Sequence, residues 1–490
     1  MQTQNPSGTG PVLSSPPTNR RQPYSITRSQ DHFRRAVKRL PLGVSSNFRY
    51  WGDDKTIYVS RGKGAYVWDL DDNRYIDYRL GYGPAILGHC HDAVDAAAHE
   101  AQRVGTVYAL GTERELTVAE LIHQMVPAAE LVRFSNSGTE AVMAALRLAR
   151  GYTGKSHYVT FEGSYHGLFD AAMWYADVAA MQSETDDPKI VAYGKGIPDL
   201  VRQLFWQVPY NNAERLERVL KKHADSIAAV LIEPILGNCC GIPAKPEFLK
   251  AVRELCDRYN VLMIVDEVKT GFRVGKSGAQ GLYDVKADIC TMAKAVANGY
   301  PIAAIGGREE IMRYFGNGVA HGGTYTAQAM SLAAAETTLR ILKDTDALAK
   351  IASYGLAMQK GMSKILTERS IAHTFAGHPS MAGLFLKEKA PTNYRDWKTS
   401  NYTFYDMLAG HLIARGIMCE PDSREPWFIS SAHDRACLDE TLAVFEEAVD
   451  ITVKEVHGRY VRRLKPETSA ASVREPAASD ATPAETSPTA

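Results

Sequence analysis

The sequence predicts an α/β fold: a large domain with a mostly parallel sheet, plus a smaller α+β domain built from both chain ends. Three observations carry this reading. From about Gly111 to Leu342, short apolar runs alternate with segments of helical period, the pattern of strands joined through helices. After about residue 345 the pattern is mixed, with longer helical stretches. Before residue 110, Gly64–Tyr78 reads as two strands around an Asp71–Asp72–Asn73 turn. The expected layout is a disordered arm over 1–28, small-domain sequence over 29–110, the large domain over 111–345, the rest of the small domain over 346–463, and a disordered tail over 464–490.

The elements follow in chain order. Ser29–Leu40 reads as a short helix stopped by Pro41. Alternation of Tyr66, Trp68 and Leu70 marks the first strand of the hairpin. In the large domain the strand candidates are Leu131–Ser135, His157–Phe161, Ala228–Ile232, Val261–Val265, Ile289–Ala293 and Ile302–Gly306. Helix candidates there are Glu140–Gly151, Lys245–Tyr259 and Ala327–Leu342. Helices over Tyr354–Arg369, Phe404–Arg415 and Arg435–Val456 complete the small domain. The tail is mainly Ala, Ser, Thr, Pro and Glu without an aromatic residue, so it buries too little apolar surface to offset ordering.

Composition narrows the function. The 490 residues carry 56 Lys plus Arg against 56 Asp plus Glu, so the basic footprint of a nucleic-acid binder is missing. No apolar run approaches the roughly 18 residues of a membrane span. Seven cysteines without a CxxC pair point to a reducing, cytoplasmic setting. The first 30 residues lack Asp and Glu, faintly like a transit peptide. Pro6, Pro11, Pro16, Pro17 and Pro23 would break the helix such a signal needs.

Four constellations carry chemistry, each just past a predicted strand. In Ser135-Asn136-Ser137-Gly138-Thr139-Glu140 a small polar turn opens a helix. Free amides at a helix start bind phosphate, although Ser137 and Glu140 read equally as a capping box. Gly163-Ser164-Tyr165-His166-Gly167 places a glycine-flanked aromatic where it can cover a planar ring. Val261–Val265 delivers the pair Asp266–Glu267 to the carboxyl end of a strand, where α/β sheets bind ligands. A buried acid there needs a cationic partner such as a metal, a protonated ring nitrogen or Arg273. Finally, Ile289–Ala293 delivers Lys294, an amine that partial burial would make reactive. Lys269 competes for that role but lies too near Asp266 to face it across a ring. Together the four match the needs of pyridoxal phosphate: a phosphate anchor, a ring cover, a partner for the pyridine nitrogen and a Schiff-base lysine. His89-Cys90-His91 lacks a second paired cluster and is not read as a metal site.

With these motifs the chain resembles the class III (subgroup II) pyridoxal-phosphate aminotransferases of fold type I, over roughly Phe33 to Val453. The resemblance implies pyridoxal 5'-phosphate as cofactor. It implies that Ser137, Gly138 and Thr139 hold the phosphate, Tyr165 stacks on the ring, Asp266 pairs with the ring nitrogen, and Val268 packs behind it. It makes Lys294 the Schiff-base lysine, brings Glu233 and Asn238 to the loop near the cofactor, and sends Thr324 to the phosphate of a neighbouring subunit. A homodimer with shared sites follows. Gly43-Val44-Ser45-Ser46-Asn47-Phe48-Arg49 is most similar to the glutamate-1-semialdehyde aminomutase branch and makes Arg49 the candidate carboxylate clamp, with Tyr82 and Tyr325 shaping the substrate side. Gly81-Tyr82-Gly83-Pro84 and Thr326-Ala327-Gln328-Ala329 depart from that branch. They favour an aminotransferase moving nitrogen from an amine or a β- or ω-amino acid to a keto acid or aldehyde. Intramolecular transfer of the aminomutase type is the alternative. A reading from another class is a non-catalytic anion-binding module built on the Ser137 turn.

Overall fold

Seven strands form the central sheet of the computed structural model, which describes residues 21–180 and 187–464. In chain order they are β1 (Leu131–Ser135), β2 (His157–Phe161), β3 (Phe205–Val208), β4 (Ile227–Ile232), β5 (Leu262–Glu267), β6 (Ile289–Met292) and β7 (Ala303–Gly307). Across the sheet they run β1-β7-β6-β5-β4-β2-β3. All neighbours are parallel except β7, which is antiparallel to both β6 and β1. β4 and β5 are buried at every position, which is why their sequences are continuous apolar runs rather than alternating ones.

Predicted and observed strands agree to within two residues, and β3 is the one central strand that went unread. Its sequence, Phe205-Trp206-Gln207-Val208, lies at the sheet edge and is too short for a periodic signal. The helices Gly138–Thr153 and Pro246–Arg258 pack on the sheet.

The hairpin strands Tyr66–Asp69 and Arg74–Asp77 pair antiparallel, and Arg74–Asp77 then pairs parallel with Ile417–Met418. The N-terminal strands therefore join sequence from the far end of the chain. We propose on this pairing that the small domain draws on 29–110 and 346–463. Among the described residues the chain forms one unit through Thr452, and Val453–Leu464 belongs to a second.

The arm expected over 1–28 is shorter at its inner end. Arg21 pairs with Glu440 at 2.8 Å, Tyr24 N donates to Ala414 O at 2.8 Å, and the first helix starts at Thr27. Pairing with distant charged and backbone groups, invisible to local composition, orders these residues. The rest of that arm and the tail beyond Leu464 lie outside the described residues. The last helix, Arg435–Leu464, runs past the expected end at Val456. No helix among the described residues is long and apolar enough to cross a membrane.

Candidate active site

β5 and β6 end side by side, and the predicted residues gather where they stop. Neighbouring strand residues point to opposite faces, so Asp266 and Glu267 part company. Glu267 accepts from the amides of Ala279 at 2.9 Å and Gln280 at 2.8 Å, capping the helix Gly278–Tyr283. Asp266 is 4% exposed. One of its oxygens lies 2.8 Å from His166 Nδ1, and the other accepts from Val268 N at 3.0 Å and the Thr291 hydroxyl at 3.2 Å. The ion pair with Arg273 does not form. Arg273 is fully buried and donates instead to the carbonyls of Gly83, Ser380 and Ile429.

Lys294 follows β6 by two residues with a left-handed backbone, φ +47°. A β-carbon makes that region costly, and such strain collects at functional sites. Burial, then the cation of Lys269, pushes the Lys294 amine down to about 8. An amine with that value is partly free base at neutral pH and able to act as nucleophile or base.

At the end of β1 the polar turn forms the capping box. Ser137 Oγ accepts from Glu140 N at 3.2 Å, while the Glu140 carboxylate accepts from Asn136 N at 2.6 Å and Ser137 N at 3.2 Å. This box leaves the amides of Gly138 and Thr139 in the first turn, where no intrahelical acceptor exists. Those two amides and the helix dipole are free to hold an anion.

Past β2, Tyr165 is set by Glu233. One carboxylate oxygen accepts from Tyr165 N at 2.8 Å and the other from Gly237 N at 3.0 Å. Gly167, at φ +101°, lets this loop lie on the cradle: a β-carbon there would stand 2.7 Å from Thr139 Oγ1 and 2.8 Å from its Cα.

Ser137, Gly138, Thr139, Tyr165, Glu233, Asp266, Val268 and Lys294 open onto one cavity of about 220 Å³. An anion cradle, a flat aromatic, a buried acid and a low-lying amine fit a phosphorylated pyridine aldehyde, each group matching one part of it. His166 Nε2 is a buried nitrogen there without a partner among the described residues.

Other predicted residues lie elsewhere. Asn238 borders the neighbouring cavity and accepts from Lys269 Nζ at 2.7 Å. Tyr82 donates its hydroxyl to Phe48 O at 2.7 Å. Arg49, Thr324 and Tyr325 are exposed and do not line the cofactor cavity. His89 pairs with Asp77 at 2.7 Å, and no metal-holding cluster occurs among the described residues.

Sequence reasoning passed over His166, Glu425 and Tyr300. His166 could have been found, because a buried Asp266 demands a partner and a histidine stands beside Tyr165 at the exit of β2, two lanes from β5. Glu425 had no such signal; it lies 156 residues from the lysine it pairs with.

The family model for class III aminotransferases matches residues 49–445. The glutamate-1-semialdehyde 2,1-aminomutase of Aquifex aeolicus is 36% identical over 430 residues, covering 86% of this chain and 99% of that protein. The same-named protein of Natranaerobius thermophilus is 34% identical, covering 86% and 97%. Among solved structures, an omega-transaminase from Sphaerobacter thermophilus superposes with a TM-score of 0.80 at 30% identity, covering 87% of this chain and 98% of that one.

Proposed function

We propose that this chain, which belongs to the class III aminotransferases, moves an amino group within a small amino aldehyde, with Lys294 as the reactive amine. Its cofactor is pyridoxal 5'-phosphate. The observation that carries the reading is the opening of Lys294, Asp266 and the 137–139 turn onto a single cavity.

When bound, the cofactor supplies an aldehyde to hold nitrogen and a ring to take up the electron pair left by a departing carbon-bound proton. The chain does the rest. The amides of Gly138 and Thr139 fix the phosphate. Asp266, held by His166 and Thr291, keeps a proton on the ring nitrogen. Tyr165 covers one ring face and excludes water. Lys294 Nζ would take the proton from the substrate carbon that bears the nitrogen.

The aminomutase-named relatives, matched along nearly their whole length, support the intramolecular route. They outweigh the departures around Tyr82 and Thr326, on which the sequence favoured transfer between two molecules. The transaminase structure at 30% identity supports that intermolecular route as a second reading. Glutamate 1-semialdehyde offered alone to the loaded enzyme separates them. Movement of its nitrogen from C2 to C1 without added keto acid supports the first. A strict need for a second carbonyl compound, met by pyruvate or 2-oxoglutarate, supports the second. Lys294→Ala should lower turnover by at least about 100-fold and abolish covalent retention of the cofactor after borohydride reduction, read by mass spectrometry. A variant with full turnover would defeat the assignment.

We also infer a cytoplasmic homodimer. All seven cysteines are free. Leu110 is 82% exposed, Leu116 62% and Tyr325 66%, and Ala329 N bonds Thr106 O at 3.0 Å, joining their two segments. An apolar surface of this kind fits a second copy, which would also bring Thr324 to a neighbouring phosphate.

A further inference from the structure

A second lysine stands in the wall of the cofactor cavity. Lys269 is 6% exposed, and its Nζ lies 2.6 Å from Glu425 Oε2 and 2.7 Å from Asn238 Oδ1. Its stem crosses the backbone at Gly237 so closely that a β-carbon there would stand 2.1 Å from Lys269 Cδ and 2.6 Å from Nζ. The side chain is therefore clamped at its head by two acceptors and along its stem by a glycine. Lys269 and Lys294 line the same cavity, and two ammonium groups facing one poorly solvated space repel each other.

We propose that Lys269 is a positioning residue that disfavours a second positive charge on Lys294 and so keeps that amine ready to react. This rests on Lys294 being the reactive amine of the reading above. The other charged groups around Lys294 act the opposite way. Glu425, Asp266 and Glu233 each favour its protonated form, while burial and Lys269 oppose it. His166 is engaged by Asp266 at 2.8 Å. Tyr165 and Tyr300, pushed up to about 12 by burial first, add no charge near neutral pH. Lys269 is thus the cation set against three carboxylates, and Glu425 moderates it directly.

The assignment requires two opposite responses. Lys269→Met removes the opposing cation and also frees Glu425, so Lys294 should titrate at least about one pH unit higher. Glu425→Gln removes a supporting anion and leaves Lys269 in place, so Lys294 should titrate lower. Lys269→Arg, which keeps the charge, should hold the wild-type midpoint. The readout is the pH dependence of Lys294 acylation by acetic anhydride in the full-length, cofactor-stripped chain, followed by peptide mass spectrometry, with circular dichroism to confirm the fold. It does not depend on turnover, so a failed substrate assignment leaves it intact. An unchanged Lys294 midpoint in folded Lys269→Met overturns the proposal. If that variant does not fold, an unchanged Lys294 midpoint in folded Lys269→Gln overturns it equally.

Discussion

A buried acid is only as useful as the groups that hold it. Asp266 has three partners, His166, Val268 N and Thr291, so both oxygens are fixed before any ligand arrives. Removing one partner leaves part of the carboxylate unsatisfied, which costs more than the bond itself contributed. His166→Phe, close in shape, should destabilise the chain by about 2 kcal/mol and weaken cofactor retention in dialysis. Urea unfolding and the absorbance of the dialysed protein measure the two effects. A variant with unchanged stability and retention would remove His166 from the site. At this scale the sequence was readable where residue type and strand exit coincide, as at Asp266 and Lys294. It was silent where a side chain from a distant segment supplies the partner, as Glu425 does for Lys269. Arg49 was named by a motif match, and in the single chain it is exposed.

The elements were legible because burial on both sides of a parallel strand demands unbroken apolar runs. β1 and β2 occur at the predicted residues, and β5 extends two residues further to include Asp266 and Glu267. The loops were less legible, because their shape depends on what they touch. The exit of β2 illustrates this. Gly167 has a left-handed φ and no room for a side chain against Thr139. Gly167→Ala should push the Tyr165 loop off the helix start at Gly138. The expected result is a Kd for pyridoxal 5'-phosphate at least about 10-fold weaker, a loss of about 1.4 kcal/mol, with little change in far-ultraviolet circular dichroism. Equilibrium titration of the stripped protein checks it, and unchanged affinity would show that the loop tolerates the shift.

Across the whole molecule the long-range ties run through buried charge. Arg273 sits just after β5, yet its guanidinium reaches carbonyls at Gly83, Ser380 and Ile429, on three separate stretches of chain. Burial pushes it down to about 9, still charged at neutral pH. Arg273→Met would strand those three acceptors and should cost roughly 3 kcal/mol of stability. Thermal unfolding in the presence and absence of cofactor measures it, and a shift of less than one degree would contradict the role assigned to Arg273. The sequence offered Arg273 as a partner for Asp266 because the two are near in number. Sheet geometry decides otherwise, since the chain turns away after Glu267. The reversed strand β7 has its own consequence. It occupies the lane between β1 and β6, and adjacent lanes lie about 4.8 Å apart. The strands that lead into the Ser137 turn and into Lys294 are therefore spaced by two lanes, about 10 Å, as though by a ruler built from backbone. Side-chain changes in β7 can alter packing, but that gauge persists for as long as the strand stays paired on both edges.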